Sequence, residues 1–162
     1  MAYVKVFAGI RHNLVERTLV NGFGMSEYFK NHSYTLLPSW KEIDPDNTVS
    51  SLPCRQISDI KVAGDMAIEF MDRKGFDFLN HYKSLKALDH VFNDLPKVSA
   101  KWTKHSYLRC FRAMTIAKLM DRQDYDRLFQ MHRQYLEKRG FGGAIINRFD
   151  TTFARLKRFS LN

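Results

Sequence analysis

Cysteine, proline and long apolar runs are all scarce in this chain. Its two cysteines, Cys54 and Cys110, lie far apart with no CxxC, so neither a dithiol redox pair nor a zinc knuckle is written, and both are expected as reduced thiols. No window approaches the run of about 18 apolar residues that a membrane-crossing helix needs. Met1 to Ile10 also lacks the basic lead, apolar stretch and small-residue cleavage site of a secretory signal. The expectation is a cytoplasmic protein with no membrane partner. Also missing are GxxxxGK[ST], HExxH, a nucleophile elbow and any metal-ligand spacing. No catalytic residue, metal site or cofactor is therefore predicted. An enzyme of unrecognised class stays open, because active sites assemble from residues far apart in sequence.

What is present describes a folded, basic protein. The 162 residues are 44% hydrophobic with 13 Phe and 7 Tyr, which places the chain well away from the composition of disorder and predicts an aromatic core. One domain spanning 1–162 is long enough to bury roughly two-thirds of the surface its unfolded form exposes. Charge is unevenly placed. Residues 1–100 hold 12 Lys and Arg against 12 Asp and Glu, residues 101–162 hold 14 against 5, and the net +9 thus belongs to the carboxyl-terminal part. Such a field attracts nucleic acid, an acidic protein or an anionic surface without choosing among them, and a solvated surface with no partner is the simplest reading.

Hydrophobic periodicity predicts mostly helices. Val4, Phe7, Ile10, Leu14, Val15, Thr18 and Leu19 follow helical spacing toward a stop at Asn21-Gly22. On that helix His12 and Glu16 fall at i and i+4, a spacing that suits a solvated ion pair better than a metal pair without further ligands. The period then fails across an irregular segment, 23–55, which holds Pro38, Pro45 and Pro53. Tyr34–Leu37 and Thr48–Leu52 read as short strands around the turn-rich Asp44-Pro45-Asp46-Asn47. Trp40, on this loop, is either a partner-contact residue or an aromatic that pins the loop to the helices.

Ser58 reads as the N-cap of a helix with Ile60, Ala63, Met66, Ala67, Phe70 and Met71 on its core stripe and Gly75 as its stop. Phe78 to Phe92 continues as two short helices until Asp94-Leu95-Pro96 ends them. Asp77 and His81 there repeat the i, i+4 pattern, read as a surface pair or as an acid-oriented imidazole. Lys97–Lys104 reads as a basic connector around Trp102. A helical hairpin, 107–139, follows: Leu108, Phe111, Arg112, Thr115, Ile116 and Leu119 on one arm, Tyr125, Leu128, Phe129, His132 and Leu136 on the other, joined by Asp121-Arg122-Gln123-Asp124. Asp124 suits the second arm's N-cap and Gly140 its left-handed stop. His132, on an apolar face, is expected as a hydrogen-bonded core residue.

Past the hairpin, Lys138 and Arg139 stand beside Gly142 and Gly143 at the start of a last helix, whose apolar stripe is Ile145, Ile146, Phe149, Phe153, Leu156 and Phe159. Those glycines either expose backbone N–H groups to an anion or simply allow a tight turn. Opposite the stripe, Arg148, Arg155 and Arg158 share a face with Lys157 at its edge, a row able to neutralise phosphates.

From about Ser58 to Gly140 the chain resembles small bacterial families of uncharacterised role, some encoded beside toxins as immunity-like partners. The resemblance rests on Phe78-Leu79-Asn80-His81-Tyr82-Lys83-Ser84-Leu85-Lys86-Ala87-Leu88 and on Ala113-Met114-Thr115-Ile116-Ala117-Lys118-Leu119 through Tyr125 and His132. It implies a protein that docks another protein. The hairpin is also similar to one tetratricopeptide-type unit, but no second copy follows at the repeat offset. The expected fold is mainly α: a single-domain bundle of about six helices with the hairpin and at most a small β element within 28–56. Three functional expectations remain open. They are a non-catalytic module docking a protein partner of acidic character, a nucleic-acid binder using the basic last helix, and an enzyme of unrecognised class. Oligomeric state is not written in the sequence.

Overall fold

The computed structural model describes residues 2–23, 31–47, 49 and 51–158. The fold is mainly α with one small antiparallel sheet. Thr48, Phe159 and the 28–30 part of the region expected to hold a β element lie outside the described residues. The sheet pairs β1 (Ala2–Val4) with β2 (Leu52–Cys54), in the register Ala2 to Cys54, Tyr3 to Pro53 and Val4 to Leu52. This corrects two expectations. The helix expected from Val4 begins only with α1 (Asn13–Phe23) and runs through Asn21-Gly22. Likewise, the partner of the strand near residue 52 is the amino-terminal stretch rather than Tyr34–Leu37. The reason is a period of two that overlies the helical one: Val4, Val6, Ala8 and Ile10 turn inward while Lys5, Phe7 and Gly9 face out, the alternation of a strand. The extended chain continues as bridges from Phe7 to Ser39 and from Ile10 to Leu36.

Asp44–Asn47 does form a turn, but before it lies a single helical turn, α2 (Trp40–Ile43), capped by Glu42, whose carboxylate accepts from the Ser39 N–H (2.7 Å) and Oγ (2.9 Å). The next helix, α3 (Ile57–Phe70), is capped by Gln56 rather than Ser58: Asp59 accepts from the backbone N–H of Arg55 (2.7 Å) and Gln56 (3.2 Å). Gly75 is no stop. The helix passes through a π turn (Met71–Gly75) into α4 (Phe76–Tyr82), with Gly75 right-handed at φ −65°. A Cβ on Gly75 would sit 2.5 Å from the Met71 Sδ, so glycine here serves close packing inside a wide turn. Then come α5 (Leu85–Asp89), capped by Ser84, a second π turn (His90–Asp94), and α6 (Pro96–Trp102) with proline at its first position. The segment expected as a connector is thus largely helix, begun by a residue whose missing N–H costs nothing there.

The hairpin is present as expected: α7 (Ser106–Leu119) and α8 (Tyr125–Lys138). Its turn uses Asp121 at φ 50°, and Gly140 closes α8 at φ 70°. Asp124 stands at the N-cap without a side-chain capping bond. Every residue from Leu108 to Ala117 is buried, so α7 is covered all round. It contributes to two cores. Ala113 and Ile116 meet Leu36, Leu88 and Phe92, whereas Phe111 and Met114 join Leu128, Leu136 and Phe149. The last helix, α9 (Gly143–Arg158), seals the second core with stacked Phe129–Phe153 and Phe129–Phe149 rings.

Candidate functional site

Glu16 and Arg112 meet in the interior, 0% and 4% exposed. This corrects the reading of His12 and Glu16 as a solvated pair. Because Val15 and Leu19 also face inward from α1, Glu16 is carried down onto the hairpin, where Arg112 donates from Nε to Oε1 (2.8 Å) and from Nη2 to Oε2 (3.2 Å). Ser33 Oγ (2.7 Å) and Thr35 Oγ1 (2.8 Å) donate to the same carboxylate. Arg11 in turn donates to the Ser33 Oγ and carbonyl, both at 2.7 Å. Burial alone would raise the Glu16 carboxyl, but the Arg112 guanidinium and the two hydroxyls outweigh it and hold it below its ordinary value. A bidentate, fully bonded carboxylate of this kind fixes geometry rather than reacting.

Ser33 and Arg112 of that network also line a cleft of about 400 Å³. One wall is His32, Ser33, Tyr34 and Leu37; the other is Trp102, Thr103, Lys104 and His105, with Leu108 and Arg112 beneath. The Leu37 N–H donates to the Trp102 carbonyl (2.8 Å) and ties the walls together. A second hollow of about 410 Å³ shares Leu37, Thr103 and Lys104 and adds Lys5, Phe7, Lys41 and Lys101. Its single carboxylate, Glu42, is the α2 cap. No ion pair engages Lys5, Lys41, Lys101 or Lys104 among the described residues. Four lysines therefore line one hollow beside Phe7, which is 44% exposed, while the half-exposed Tyr34 belongs to the adjoining cleft. The volume falls within the range of ordinary ligand sites.

The residues singled out from the sequence lie elsewhere. Trp40 is fully buried, edge-on to Phe70 at 6.2 Å. Its Nε1 has no hydrogen-bond partner among the described residues, and it backs a separate hollow of about 270 Å³ with Asp44, Asp46 and Glu69. Lys138, Arg139, Gly142 and Gly143 sit at one end of α9, where space around both glycines is open and Arg139 stacks over the Tyr135 ring at 5.6 Å. Arg155, Lys157 and Arg158 stand at the other end, about 18 to 22 Å from Gly143 at about 1.5 Å per residue. Arg148 lies between, and all four side chains are exposed. The structure strings this set along a helix and does not gather it. Lys157 is held by Asp126 (2.9 Å), and on neighbouring turns Arg133 holds Asp150 (3.1 Å), so carboxylates interleave with the row.

His132 is buried as expected. It meets Asn93 Oδ1 at 3.2 Å, and burial, reinforced by the nearby Arg109 cation, lowers its pKa to about 3. Asn93 Nδ2 donates to Asp89 (2.7 Å) and to the Ala113 carbonyl (3.1 Å). Arg122, in the hairpin turn, then binds Asp89 (2.8 Å), Asp94 (3.1 Å) and Asp124 (2.8 Å). Arg109, three residues before Arg112, is 2% exposed with Nε and Nη1 unbonded among the described residues, its guanidinium 4.4 Å over the Tyr135 ring. Among the described residues no group of three or more His, Cys, Asp or Glu is placed to hold a metal ion, and no helix is long and apolar enough to cross a membrane. The lysine cleft went unread because Lys5, Lys41 and Lys101 share no periodic frame; only Lys101 and Lys104 around Trp102 gave a local signal. No family model, no curated protein and no solved structure matches the chain.

Proposed function

We propose that the protein is a non-catalytic binding module that docks an acidic segment of a protein partner in the lysine-lined cleft. The observation that carries this reading is the convergence of Lys5, Lys41, Lys101 and Lys104, without ion-pair partners among the described residues, around Phe7 and Leu37. Ammonium groups steer an acidic chain and set its register, while the apolar walls take the side chains between its charges. An immunity-like or regulatory role toward an acidic effector is the form of docking that fits this charge.

Capture from the native host tests the proposal. Changing Lys101 and Lys104 together to glutamate should reduce recovery of the specific partner about tenfold or more, because like charges then face the acidic segment, while changing Arg148, Arg155 and Arg158 to glutamate leaves recovery intact. A partner retained equally by the lysine variant would overturn the assignment. The exposed Arg148, Arg155 and Arg158 face supports a second reading, nucleic-acid binding along α9. Anisotropy with labelled single-stranded DNA, duplex DNA and RNA tests it: binding that persists near physiological salt and vanishes in the arginine variant would favour that surface.

A further inference from the structure

We infer that α3 is a self-association face through which two copies of this chain pair antiparallel about a two-fold axis at Gly64. Ile57, Ile60 and Ile68 are 86%, 59% and 62% exposed, although helical periodicity would send such a stripe to the core. At about 100° per residue, Ile57, Ile60, Gly64, Ile68 and Met71 fall within an arc of roughly 80°. The buried side of α3 is supplied instead by Ala63 and Phe70. The stripe reads alike in both directions from Gly64: isoleucine four residues either way, and Ile57 and Met71 seven residues either way. Nothing lies within 4 Å of a Cβ placed on Gly64, so a second backbone can approach closely there.

Charge selects the second copy as occupant. Lys61 and Asp65 sit on the same flank of the stripe, and neither has an ion-pair partner among the described residues. In an isologous antiparallel pair, like flanks face each other. Lys61 of one copy then stands within about 3 Å along the axis of Asp65 of the other, twice over, while Ile60 meets Ile68 and Ile57 meets Met71. A helix face about 21 Å long covers less than the roughly 800 Å² per partner of a standard interface, so the pairing depends on concentration. No residue of the lysine cleft belongs to this stripe.

Sedimentation equilibrium across about a hundredfold range of concentration tests the inference. The wild-type chain should move from 19.1 kDa toward twice that mass. Lys61→Glu and Asp65→Lys should each remain monomeric, since both place like charges opposite one another. Mixed in equal amounts, the two variants should recover the dimer, because each supplies the charge the other lacks, and recovery on mixing also shows that both are folded. A wild-type chain that stays monomeric throughout, or a mixture that associates no better than either variant alone, overturns the inference.

Discussion

Two arginines three residues apart on α7 occupy opposite electrostatic situations. Arg112 answers Glu16 with a bidentate contact in the interior, whereas Arg109 is buried over Tyr135 with two nitrogens unbonded. Removing Arg112 strands a buried carboxylate. Arg112→Met should therefore cost about 3 to 5 kcal/mol of unfolding free energy, the usual penalty for breaking one side of a buried pair. Arg109→Met removes an uncompensated cation at similar volume, so its effect should lie between neutral and about 2 kcal/mol stabilising. Urea titrations of the two variants beside the wild type check both signs. Cys110, adjacent to Arg109, has its thiol pushed up to about 11 by burial and should resist alkylation in the folded state. The sequence alone assigns Arg112 to an apolar stripe but cannot show its charge partner, because Glu16 lies 96 positions away.

At the scale of elements, the hairpin was legible and the amino-terminal strand was not. Leu128, His132 and Leu136 recur at intervals of four and are buried, which is what the spacing implies. Residues 2–10 satisfy periods of two and of 3.6 at once, and only pairing with Leu52–Cys54 and the bridges at Leu36 and Ser39 decides between them. Gly75 misled for a related reason, since a glycine that stops a helix and one that admits a π turn look identical without φ. The polar break in the hairpin does more than turn the chain. Arg122 fastens it to α5 and the following π turn through Asp89 and Asp94. Arg122→Ala should lower stability by about 2 to 4 kcal/mol, and Arg122→Lys should restore less than half of that, since one ammonium cannot reach three carboxylates as a fork does. Thermal melts of the pair check the expectation.

For the molecule as a whole, acid should be the sensitive side of the stability profile. His132 has its folded pKa lowered from 6.5 to about 3, so the unfolded chain takes up the proton first. The stability tied to its neutral form is complete above pH 6.5 and declines as pH falls below it, with a slope of at most about 1.4 kcal/mol per unit. Glu16 works in the same direction over a lower window, supporting the fold above 4.5 and losing that support as pH falls through its depressed folded value. Denaturant midpoints measured from pH 7 to 4.5 should fall steadily in the wild type and flatten in His132→Gln, which keeps a donor for Asn93. Little of the candidate site could be read in advance, because the net charge of the carboxyl-terminal part drew attention to α9 while the four lysines of the cleft come from three separate segments. The Glu16–Arg112 contact also orders events during synthesis. A nascent chain that has released its first hundred residues holds α1 with its acid exposed and no guanidinium to receive it, so docking must wait for the hairpin. That docking step closes a long loop, and slowing translation before Ser106 would prolong the time the unfinished chain spends with this acid unpaired.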